Sequence, residues 1–169
     1  MNIYQELWWR QAQSDHDVLL LLRCQGFNAC HQLHYLQMIT EKVSKAYFWG
    51  SGMPPPKSHA GFHLFLRSLG GVRSSERRQI ADIFKFKRFA DFQSWQRKIL
   101  PLAYELEKLA PALSQDNTAN PEYPWPHSAP QHAPVDFKFP IWVELTETSR
   151  GRHLLQFIDI AVNKFPQYA

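Results

Sequence analysis

The chain has 169 residues, enough for one domain with a substantial core. Hydrophobic residues at 44%, aromatics at 14% and charged residues at 20% argue against global disorder. A formal charge of +4, with a pI near 9.1, leans mildly towards anionic partners. The two cysteines, Cys24 and Cys30, lack metal-type spacing to other thiols and read as buried and reduced. The longest aliphatic run, Val18 to Leu22, is too short to cross a bilayer, and "MNIYQELWWR" lacks the basic-then-apolar order of a signal peptide. The expectation is a single cytoplasmic domain over 1–169, without membrane attachment.

In chain order, Trp8, Ala12, Asp15, Leu19 and Leu22 form one helical stripe. Gly26 and Asn28 in "QGFN" read as a stop and a cap. A second helix follows, with Ala29, Leu33, Leu36, Thr40, Val43 and Tyr47 on its seam and Ile39 and Ala46 widening it. Gly50, Gly52 and Pro54 to Pro56 end it. The short connection predicts an antiparallel hairpin of these two helices. Ser58 is placed to cap a short third helix reaching about Leu69, closed by Gly70 and Gly71.

Ser74 and Ser75, with Glu76 behind them, predict a new start and helix to about Leu113. A break is expected near Lys85–Arg88, and Pro101 is expected to kink or restart the helix. Six of the twelve prolines fall within 114–147, which predicts no helix there. Tyr123, Trp125, Phe137, Phe139 and Trp142 are too many aromatics for a solvated linker, so the segment reads as an ordered strap across the helices. A last helix spans about Thr148 to Lys164, with Leu154, Phe157, Ile158 and Ala161 on its seam. The fold class is all-α: an up-and-down bundle of four to five helices with a long Pro-rich strap before the C-terminal helix.

In "QMITEKVSKAYFWG", Gln37, Glu41 and Lys45 step by four beside the apolar seam. Glu41 four residues before Lys45 is the favourable ion-pair order, so periodicity alone predicts a solvated, self-supporting face. The pattern Gln37, Glu41, Lys42, Lys45, Ala46 also resembles the second-helix signature of the HEPN domain family. "WWRQAQSDHDVLLLL", with Asp15 before an apolar run, is similar to that family's first helix. "SHAGFHLFLRSL", with His59 and His63 ahead of spaced leucines, is similar to its third. "LPLAYELEKLAP" and "NPEYPW" look like features of a bacterial subgroup. The resemblance is strongest over 8–69. It implies a bundle of four or five helices, commonly a homodimer, in a family that includes toxin ribonucleases and partners of small nucleotidyltransferases. It marks Asp15, Gln37, Glu41, His59 and His63 as signature polar positions.

Nuclease members of that family resemble one another in an Arg-x(4–6)-His motif. Only Arg10 and His16 match it here, where roughly one or two matches are expected by chance. The pair diverges by about 120° around a helix, so the chain departs from the nuclease pattern. His31 with His34, and His59 with His63, have helical metal spacing, yet no neighbouring carboxylate completes either pair. No cofactor or metal is therefore assigned. Asp15, central in an apolar stripe, calls for a basic partner on another helix.

The segment Arg73–Lys98 carries eight cations against Glu76, Asp82 and Asp91, a balance of +5 that leaves −1 for the remainder. Arg73, Arg77, Arg78, Lys85, Lys87 and Arg88, together with Lys42 and Lys45, are the candidate anion-binding or nucleic-acid-binding residues. Phe84, Phe86, Phe89, Phe92 and Trp95 are interleaved with the charges. Rings between cations suit a nucleic-acid strand, but the simpler reading puts the rings in the core and leaves the cations wet. A second face of helix 2, with Phe27, His31, Tyr35, Met38 and Trp49, is apolar enough to need covering by the strap or a second copy. The expected function is a non-catalytic HEPN-like interaction module, in a toxin–antitoxin or nucleotidyltransferase-associated system. The alternative is a divergent HEPN ribonuclease or RNA- or nucleotide-binding protein.

Overall fold

A computed structural model describes residues 1–50, 55, 61–111, 118–126 and 130–169, and these form seven α-helices. α1 (Ile3–Cys24) starts five residues before Trp8 because Asn2 and Gln5 build a reciprocal capping box. It stops where Gly26 takes φ +68° and the Phe27 N–H reaches back to the Leu22 carbonyl, a Schellman turn. In α2 (Ala29–Trp49), Asn28 holds the cap position, but its amide donates to Val135 O at 3.4 Å instead of capping. The two helices form the expected antiparallel hairpin. Tyr4 stacks on Trp49 at 4.5 Å, and Asp15 meets Lys42 further along. Cys30 is buried, whereas Cys24 is exposed, because it follows the last buried stripe residue of α1.

The expected cap Ser58 lies outside the described residues. α3 (Phe62–Gly70) runs opposite to α5 (Phe89–Glu107) and is tied to it by side chains. Gln93 donates to the Gly70 carbonyl at 2.9 Å and Gln96 to that of Leu66, satisfying acceptors at the C-terminal end of α3. The serine cap expected at Ser74–Ser75 does not form. α4 (Arg77–Ile83) begins behind Glu76, without a side-chain cap. The break expected near Lys85–Arg88 is present. The restart expected at Pro101 does not occur: α5 runs on through it, since the exposed ring loses one hydrogen bond while Ile99, Leu102 and Ala103 stay buried. α5 ends at Glu107, short of the expected Leu113.

α6 (Pro140–Glu147) lies inside the stretch expected to be free of helix. Pro140 starts it, at a position where a missing N–H costs nothing and a fixed φ helps. Upstream, Trp125 and Phe139 are buried, and Phe137 stands 5.0 Å from each ring. Tyr123 is exposed instead. An isolated antiparallel bridge joins Trp125 to His132. α7 (Ser149–Asn163), capped by the Thr148 hydroxyl on Gly151 N–H, buries Leu154, Phe157, Ile158 and Ala161 as its pattern predicts. The helix count exceeds four to five because the Lys85 turn separates α4 from α5 and Pro140 nucleates α6.

The core is aromatic at one end. Phe84 stacks on Phe157 at 4.3 Å, with Phe92, Trp95 and Phe65 around them. The rings of the basic segment thus turn inward, and its cations remain outside.

Candidate functional site

The polar row of α2 is not a solvated face. Gln37 and Glu41 are buried, and α1 meets the adjoining Lys42 and Lys45 through Asp15 and Trp8. The Gln37 amide donates to Glu41 at 3.3 Å, Lys45 pairs with Glu41, and the Lys45 ammonium sits 5.0 Å over the Trp8 ring. Asp15 pairs with Lys42 and also accepts from the Gln11 amide at 3.1 Å. The partner expected for Asp15 is therefore Lys42. One i,i+4 step puts Glu41 beside Lys45 in the sequence, but only tertiary packing takes the pair out of water. With side chains 12% and 18% exposed, Lys42 and Lys45 are committed inside the hairpin, apart from the other candidate cations.

The histidines are likewise engaged across elements. His16 Nε2 lies 3.2 Å from Asp159 on α7, while Arg10 is exposed elsewhere on α1, so the two residues of the Arg–His match do not converge. His63 Nδ1 is 2.7 Å from the buried Glu107, whose other oxygen accepts the His63 backbone N–H at 2.9 Å. Glu107 thereby supplies from α5 the N-terminal cap that Gly61 cannot give α3. His34 Nδ1 stands 3.2 Å from Glu122 of the strap, and His31 is exposed. His59 lies outside the described residues. Among the described residues, no three His, Cys, Asp or Glu side chains gather as a metal site requires. Glu107, Glu122 and Asp159 are not legible as histidine partners in the sequence, because nothing in local spacing links residues so far apart.

The remaining candidates divide cleanly. Arg77, Arg78, Lys87 and Arg88 border one open groove at the α4–α5 junction, together with Ser74, Asp82 and Phe89. Arg73 and Lys85 are exposed nearby but do not line it. The Arg77 guanidinium lies 5.5 Å over Phe89, which fixes its plane. Arg78 is 3.6 Å from Asp82, and Arg88 makes a forked contact with Asp91 at 2.8 and 3.1 Å. That fork raises the Arg88 pKa and lowers that of Asp91, so both stay charged. Four cations against Asp82 leave +3 along the groove, or +2 with Asp91 counted. The Lys85 turn creates this arrangement by doubling the chain back between α4 and α5.

No family model matches this chain, and neither a curated protein nor a solved structure does.

Proposed function

We propose that the chain is a non-catalytic interaction module, HEPN-like in its first three helices, that docks an anionic partner in the α4–α5 groove. RNA is the partner whose chemistry fits best. The carrying observation is the convergence of Arg77, Arg78, Lys87 and Arg88 on one open surface, with Arg77 presented over Phe89. Phosphate groups suit that surface because Arg presents a planar fork of donors and keeps its charge throughout. The cations are exposed, so binding should weaken steeply as salt rises. Self-association through the N-terminal end of α2, where His31 and the preceding turn residue Phe27 are exposed, belongs to the same reading.

The deciding measurement is fluorescence anisotropy of a labelled single strand of about 12 nucleotides, titrated at two salt concentrations. The expected result is binding at low salt that falls with salt and drops at least about tenfold in the Arg77→Glu/Arg88→Glu double variant. The RNA should remain intact. Absence of binding at low salt, or undiminished binding by the double variant, would sink the RNA reading and leave an acidic protein surface, such as a nucleotidyltransferase partner, as the occupant. Cleavage that vanishes in His16→Ala would replace the non-catalytic reading with the ribonuclease alternative.

A further inference from the structure

On the side of α4 away from the basic groove, a cavity is bordered by the last turns of α2 and α3, the start of α4 and the C-terminal segment. Tyr47, Phe48 and Tyr168 line it, and Glu76 is the one charged side chain among its described lining residues. The Tyr47 and Phe48 rings stand at 77° with centroids 5.6 Å apart, forming a corner, and Tyr168 faces Tyr47 at 6.5 Å. The Tyr168 hydroxyl is spent on the Ala161 carbonyl at 2.6 Å, so that ring offers the cavity hydrocarbon and π surface rather than a donor.

Charge points the same way. Gly50, the C-cap of α2, lines the cavity, and so does Ser68 in the final turn of α3. Two helix C-termini therefore border it with the negative ends of their dipoles, opposite the N-terminal end of the short α4, where Glu76 stands. Glu76 accepts the Arg73 N–H through Oε2 at 3.2 Å. The negative environment is already felt by Tyr47, whose pKa is raised by burial first and by Glu76 second.

We propose that this cavity binds an organic ammonium group of the trimethylammonium type, with the aromatic corner taking the cation's methyl surface and Glu76 supplying the countercharge. A quaternary ammonium fits better than a primary one. It carries no hydrogen-bond donors to leave unsatisfied, and its diffuse charge is attracted by ring faces. The site is independent of the basic groove and of any RNA binding there.

Choline chloride and its neutral carbon isostere, dimethylbutanol, are titrated into the full chain, with amide chemical shifts followed by NMR. A trimethyl-lysine peptide and its unmethylated twin form a second arm. Saturable shifts at Tyr47, Ser68 and Gln79 with choline, about tenfold tighter than with the isostere, support the assignment. Glu76→Gln, an exposed position that retains an acceptor for Arg73, should weaken choline binding by about two- to fivefold. Binding by the methylated peptide alone identifies a modified protein tail as the source of the group, and binding by choline identifies a free amine. Equal binding of cation and isostere, unchanged affinity in Glu76→Gln, or no saturation with either cationic probe overturns it.

Discussion

Lys85 and Gly26 hold the same place in two Schellman turns, at φ 62° and +68°. Glycine takes this conformation freely, whereas a lysine side chain crowds its own backbone. Lys85→Gly should therefore stabilise the fold by about 0.5–1 kcal/mol, read as a higher urea midpoint with unchanged slope. A Cβ at Gly26 would meet open space, so Gly26→Ala isolates the conformational term and should cost about 1 kcal/mol. His153 gives a pH-dependent test. Phe86 and Trp95 lie 5.2 and 5.1 Å from its ring, and burial holds its pKa below the ordinary 6.5. The unfolded chain then binds a proton before the folded one does. This stability is complete above pH 6.5 and is lost as pH falls through the window down to the lowered folded value. His153→Phe should flatten that part of the stability profile. An unchanged slope of stability against pH between the two proteins would contradict the assignment.

Between elements, stability depends on polar pairs and close approaches that no single helix reveals. Asp15 and Lys42 join α1 to α2 where both side chains are nearly enclosed. Asp15→Ala strands an ammonium group in that seam and should cost about 2–4 kcal/mol in denaturant unfolding. The double variant Asp15→Leu/Lys42→Met should recover most of the loss, since it removes both charges and fills the space. If the double variant is no better than the single, a buried unpaired charge is not the cause. At the α6–α7 joint, a Cβ on Gly151 would stand 2.5 Å from Leu145 Cα. Gly151→Ala must push α6 outward and should lower stability by at least about 2 kcal/mol. Gln93 and Gln96 show the same principle more mildly, because they complete the end of a helix to which they do not belong.

At the scale of the whole molecule, the second face of α2 is divided. Trp49 is covered by Tyr4, Tyr35 and Met38 are half-buried, and His31, with Phe27 in the turn ahead of α2 rather than on the helix, remains exposed near the point where the strap crosses through Val135. The exposed portion is where a second copy should pair. Sedimentation equilibrium is expected to give about twice the 19.8 kDa chain mass, and Phe27→Glu to return it to one. A wild-type monomer at micromolar concentration would show that the strap alone suffices. Among the described residues, no helix is long and apolar enough to cross a membrane.

Helix identity was determined by the sequence itself wherever one periodic face met a clear terminator. Leu33, Leu36, Ile39 and Val43 declared the buried side of α2, Gly26 its separation from α1, and the Leu154 to Ala161 pattern the core face of α7. The inward turn of Phe84 and Phe92 was readable too, as the simpler alternative to a row of rings on nucleic acid. Tertiary structure alone decided what depends on a neighbour. It turned Gln37 and Glu41 from a solvated row into a buried one, and it chose Lys42 for Asp15. It gave His16, His34 and His63 carboxylates from distant segments, and it brought four of the eight candidate cations to one groove. Periodicity reports the direction a residue faces on its own helix. It carries no information about which surface arrives opposite, and charge, burial and site geometry are set by that arrival.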